Sequence, residues 1–119
     1  MEAKELRISN LANVSLKSGN GRTLIKEINY TDLEKISTET GSYIYEPIPI
    51  TEEWLIKAGF EKRDSEFIKG KIYESGKITV GFFKEGIETY FGPQEIFNIE
   101  HLHQLQNLYH SLTSQELTI

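Results

Sequence analysis

The pattern of this 119-residue chain predicts an α+β fold: a small antiparallel sheet of two hairpins, a short central helix and a C-terminal amphipathic helix. Three observations carry that expectation. Extended runs bounded by turn residues cluster at 11–28 and 66–98, a segment near the middle carries signals for both ends of a helix, and leucines recur at helical spacing near the C-terminus. Strands grouped between helices, without regular strand-helix alternation, separate this pattern from a doubly wound parallel sheet. The length suits a single domain over residues 1–119, because two halves would each struggle to bury a core.

The first hairpin is expected from extended runs at 11–16 and 23–28 joined through Asn20-Gly21, a dipeptide suited to positive φ angles. Thr31-Asp32 can cap a short helical turn through Ile36, with Leu33 and Ile36 spaced to face a core, although so few residues also suit a strand. Residues 43–50 must be extended, since Pro47 and Pro49 fix their own φ and push their predecessors towards β or polyproline geometry. This strap leads into the central helix. Thr51 is a good N-cap, Glu52 and Glu53 complement the positive helix end, and Trp54, Leu55 and Ala58 form an apolar stripe. Gly59 then supplies a left-handed residue, after which Phe60 can fold back.

Two β-rich runs within 66–85 flank Ser75-Gly76, with Ile78, Val80 and Phe82 on one face and Thr79, Gly81 and Phe83 on the other. Glu85-Gly86 offers a turn before an extended run at 87–91, and Gly92-Pro93 breaks the chain before a short piece at 95–98. Three or four antiparallel strands are expected. The last element runs over about 99–113, where Leu102, Leu105, Leu108, Tyr109 and Leu112 share a stripe.

Composition narrows the function. A net charge of −5 argues against general nucleic-acid binding, although Lys57, Lys62, Arg63, Lys69 and Lys71 lie close together in sequence. A solvated face explains that cluster more simply than a phosphate site. The absence of cysteine removes disulfides, thiolate zinc sites and a thiol nucleophile. Apolar runs such as Trp54-Leu55-Ile56 fall far short of the roughly 20 residues needed to cross a bilayer, so no membrane association is expected. The charged start, Met1 to Glu5, is not followed by an apolar stretch of signal-peptide length, and the cytoplasm is the expected compartment.

No motif implies a cofactor. Ser18-Gly19-Asn20-Gly21-Arg22 lacks the spacing of a phosphate-binding glycine loop and reads as a turn. His101, His103 and His110 all sit on or beside the final helix. His103 and His110 are about 10 Å apart along it, too far to chelate one ion, and His101 and His103 are expected to face different directions. Imidazoles on a polar face with Gln104, Gln106 and Asn107 are the simpler expectation. No nucleophile-elbow pattern occurs, and the carboxylate pairs Glu52 with Glu53 and Asp64 with Glu66 are of a kind common without catalysis. The aromatic residues Tyr30, Tyr43, Tyr45 and Trp54 gather around the proline strap, where they can pack a core, stack on a base or anchor a partner.

Residues 45–60 and 103–113, with the trailing Gln115-Glu116-Leu117 and the opening 3–11, resemble a group of small uncharacterised proteins of Bacteroidota genomes, prophages and phages. The resemblance touches both ends and the middle. It implies a phage-type accessory protein and transfers no catalytic residue. This chain departs from the group where glycine is common, carrying Ser9 and Ser114 instead.

Three functions follow for testing. The first is a non-enzymatic module that docks on a protein partner through the proline strap, the exposed aromatic residues or an open sheet edge. The second is an anti-defence protein that sequesters a nucleotide immune signal between the subunits of a homo-oligomer, with Tyr43, Tyr45, Trp54, Lys62 and Arg63 as its candidate binding residues. The third is a small phosphoester hydrolase, for which no local motif speaks.

Overall fold

The computed structural model describes residues 3–19, 21–63 and 70–119. It is an α+β structure with two antiparallel sheets rather than one. The first sheet holds β1 (Leu11–Leu16), β2 (Leu24–Glu27) and β3 (Tyr43–Glu46) in the order β2-β1-β3. The expected hairpin is β1 with β2, in a register that sets Val14 opposite Leu24; Asn20 of its turn lies outside the described residues. β3 pairs with the other side of β1, opposing Val14 with Tyr45 and Leu16 with Tyr43. β3 ends before Pro47, which has no N–H to offer a ladder.

Between β2 and β3 runs α1 (Tyr30–Thr38), longer than the single turn expected and capped two residues earlier. Asn29, not Thr31, is its N-cap. Its side-chain oxygen accepts from the Asp32 N–H at 2.9 Å, and Asp32 Oδ2 accepts from the Asn29 N–H at 3.0 Å. Two orphan donors are thereby satisfied reciprocally.

The second sheet is a five-stranded meander, β4 (Glu61–Arg63), β5 (Lys71–Ser75), β6 (Ile78–Phe83), β7 (Gly86–Phe91) and β8 (Gln94–Ile96), each paired with its neighbour in order. The start of the second expected hairpin, 66–69, lies outside the described residues. β4 exceeds the expected strand number; its three charged residues carry no strand propensity and suit an exposed sheet edge. The two faces of β6 alternate as expected. Ile78 and Val80 are buried, while the ring of Phe83 lies across Gly81, where a Cβ would collide with it.

The helix α2 (Glu52–Lys57) has both ends as read from the sequence. Thr51 accepts from the Trp54 N–H at 3.4 Å. Gly59 has φ +83, its N–H donates to Ile56 O at 3.0 Å, and Phe60 N–H donates to Leu55 O at 2.9 Å. Those paired bonds satisfy two orphan carbonyls and fold Phe60 inwards. The C-terminal helix α3 (Leu102–Thr113) starts where Gln104 Oε1 accepts from the N–H groups of Glu100 and His101 at 2.8 and 2.9 Å.

The main core joins α2, α3 and the meander: Ile50, Leu55, Ala58, Phe60, Tyr73, Ile78, Val80, Leu105 and Leu117 pack together. The proline strap is absorbed into this arrangement. Ile48 and Ile50 are buried, Leu102 N–H donates to Ile48 O at 2.7 Å, and Ile50 N–H donates to Glu100 O at 3.1 Å. The molecule measures 49 × 30 × 22 Å, the three-stranded sheet and the meander being linked through α3. Among the described residues no helix is long and apolar enough to cross a membrane.

Candidate functional site

Side chains two apart on a strand share a face. On one face of the three-stranded sheet, Leu24, Val14 and Tyr45 form a row across all three strands, with Leu16 and Tyr43 opposed in the next row and Lys26 opposite Ala12 in the one before. α1 covers part of this face. Its Asp32, 1 % exposed, accepts from Lys26 Nζ at 2.8 Å and from the Tyr45 hydroxyl at 2.7 Å, both on the same oxygen. Burial raises the Asp32 pKa, but the hydrogen bonds from Lys26, Tyr45 and the Asn29 backbone outweigh it and hold the carboxyl below its usual range. Burial, and after it the adjacent Asp32 carboxylate, pushes the Tyr45 phenol well above its ordinary value. The pair is thus an ionised acceptor with a firmly protonated donor, which anchors α1 to the sheet.

Beyond the reach of α1 the same face opens into a groove of about 410 Å³, lined by Val14, Leu16, Leu24, Tyr43 and Tyr45, with Arg22 and Lys26 as its cations. A smaller cleft of about 180 Å³ also uses Tyr43 and Tyr45, together with Lys17, Lys35, Ile36 and Glu39. Lys35 Nζ stands 5.8 Å from the centre of the Tyr43 ring.

Of the five residues singled out from the sequence, the structure brings Tyr43 and Tyr45 together and places the others elsewhere. Trp54 is half-buried on α2 beneath Lys57 Nζ, 5.0 Å from its ring centre. Lys62 and Arg63 lie exposed on β4, in the other sheet, with Arg63 3.4 Å from Glu74. None of the three lines the groove. Tyr30, grouped with these aromatics in sequence, stands exposed at the start of α1. The cations that do line it are Lys26, two residues on from Leu24 and on the same face of β2, and Arg22, in the connector just before that strand.

Three cations of the apparent basic cluster are answered by acids or by an aromatic ring, and Lys62 stands exposed on β4. Lys71 is 3.2 Å from Glu52, Arg63 pairs with Glu74 and Lys57 covers Trp54, while Lys69 lies outside the described residues. No family model, curated protein or solved structure matches this chain.

The histidine face differs from expectation. His103 and Gln106 are buried, and the His101 and His103 rings stack with centres 5.9 Å apart and planes at 11°. His101 precedes the helix in extended conformation, φ −119°, which lets its ring swing alongside that of His103. Among the described residues no group of three His, Cys, Asp or Glu side chains is placed to hold a metal ion. Of the two carboxylate pairs weighed for acid-base work, Asp64 with Glu66 lies outside the described residues, and Glu52 is engaged by Lys71.

Proposed function

We propose that this chain is a non-enzymatic binding module that engages a protein partner through the three-stranded sheet. The carrying observation is the other face by strand alternation, where Ile25 and Ile44 stand 53 % and 39 % exposed on either side of β1, Ile44 also bordering the smaller cleft beside α1. β2 ends the sheet and every one of its residues is exposed, so its outer edge is open to strand addition as well. The proline strap is engaged with residues 100–102, which favours the sheet over the strap as the docking element. The protonation states of Asp32 and Tyr45, each committed to the other, also favour binding over acid-base catalysis. The resemblance to proteins of Bacteroidota prophages and phages supports an accessory role in that setting.

The test is the double substitution Ile25→Lys with Ile44→Lys. Both side chains are exposed, so the variant folds. Burying two isoleucines at an interface contributes about 3 kcal/mol, so partner affinity should fall about a hundredfold. Affinity capture from host extract, quantified by mass spectrometry, should show proteins retained by the wild type and lost by the variant. Equal retention by both chains, or no retention by either, would overturn the proposal.

A further inference from the structure

The groove on the opposite face of this sheet has a chemistry of its own. Val14, Leu16 and Leu24 give it an apolar floor, and Leu24 is 64 % exposed there. Two of its polar groups are already engaged: Lys26 and the Tyr45 hydroxyl both serve Asp32. Arg22 is different. Among the described residues its guanidinium makes no hydrogen bond or ion pair, and the Tyr43 hydroxyl in the same groove makes no hydrogen bond. An unpaired guanidinium carries five N–H donors in a fork that matches a carboxylate. It stands beside an apolar floor in a chain whose net charge is −5. The volume of about 410 Å³ falls within the range of small-ligand sites, about 300–1,000 Å³.

We propose that this groove binds a small amphipathic acid, its carboxylate on Arg22 and its aliphatic or aromatic body on Val14, Leu16 and Leu24. The Asp32 carboxylate cancels the charge of Lys26, so Arg22 supplies the attraction for the anion. Tyr43 adds a ring wall and a second donor. The site is independent of the Ile25 and Ile44 face, so either can fail without the other.

The experiment is an amide NMR titration of the full chain with sodium octanoate as the probe. Saturable shifts should concentrate at residues 14–16, 22–26 and 43–45. Arg22→Gln, a change at an exposed side chain, should weaken octanoate by about two- to fivefold, the scale of an exposed ion pair. Uncharged 1-octanol should bind the wild type correspondingly more weakly, and Leu24→Ser should weaken both probes. Shifts absent or centred elsewhere would overturn the proposal, as would octanol binding as tightly as octanoate or unchanged affinity in Arg22→Gln.

Discussion

Asp32 is the residue on which the small sheet turns. It closes the cap of α1, and from the same carboxylate it holds Lys26 of β2 and Tyr45 of β3. Its acidity links that geometry to pH. In an unfolded chain an aspartate titrates near pH 3.9, whereas here the donors hold the carboxyl lower. The folded state therefore favours the ionised form, and the resulting stability is fully present above the unfolded value. It declines as pH falls below about 4 and is gone once pH passes below the folded value. Asp32→Asn should cost about 2 kcal/mol at pH 7, the scale of hydrogen bonds to a charged acceptor together with a helix cap. Urea unfolding at pH 7 and pH 3 checks this: the gap between wild type and variant should narrow at pH 3. A gap of constant size would mean that the carboxylate's charge contributes nothing.

At the scale of elements, the ends of segments decide what can be read in advance. α2 was legible because Thr51 and Gly59 act within one turn of the helix they bound. Ser9 and Ser114 show the same logic with the less favourable residue. Ser9 has φ +81 before β1, and Ser114 has φ +60 where it ends α3. Left-handed backbone costs a residue with a side chain about 1–2 kcal/mol, partly offset by the greater entropy that glycine loses on folding. Ser9→Gly and Ser114→Gly should each raise stability by about 0.5–1 kcal/mol, seen as a higher denaturation midpoint at unchanged slope. A lower midpoint in either variant would show that the serine side chain contributes more than its backbone strain costs. Long-range features were less legible. The Asn29 cap is a local signal, Asn answered three residues later by Asp32, whereas β4 is a strand because β5 lies beside it rather than through any propensity of Glu61, Lys62 or Arg63. Alternation placed Tyr43 and Tyr45 on one face. Lys62 and Arg63 are adjacent in sequence but lie in the other sheet, whereas Arg22 and Lys26 reach the tyrosines only once β1 is interposed between β2 and β3.

At the scale of the whole molecule, the question is what couples the small sheet to the meander. The main core contains no residue of β1, β2 or β3. Coupling runs in large part through a polar seam between residues 7–11 and α3 with its tail. Arg7 Nε donates to Asn107 Oδ1 at 2.8 Å, its Nη1 to Glu116 Oε1 at 2.6 Å and its Nη2 to the Gln106 carbonyl at 3.2 Å. Buried Asn10 donates to the same Asn107 oxygen at 2.9 Å, and buried Gln106 accepts from the Leu11 N–H at 2.9 Å. The Arg7 hydrogen bond also lowers the Glu116 pKa, so that carboxylate stays ionised. Removing the guanidinium takes a donor from the Asn107 oxygen, which keeps Asn10, and from the Gln106 carbonyl and the Glu116 carboxylate, at a cost of about 2–3 kcal/mol. If the two sheets are separate cooperative units, that cost falls on one of them. Arg7→Ala should then speed amide hydrogen exchange in β1, β2, β3 and α1 by roughly 30- to 150-fold, the same energy read as an opening equilibrium, while β5, β6 and β7 keep their protection. Equal acceleration in both sheets would show a molecule that opens as a whole, with the seam serving as an ordinary part of one core. Selective acceleration would make the small sheet, with its open edge and its groove, a unit that can adjust to a partner while the meander holds still.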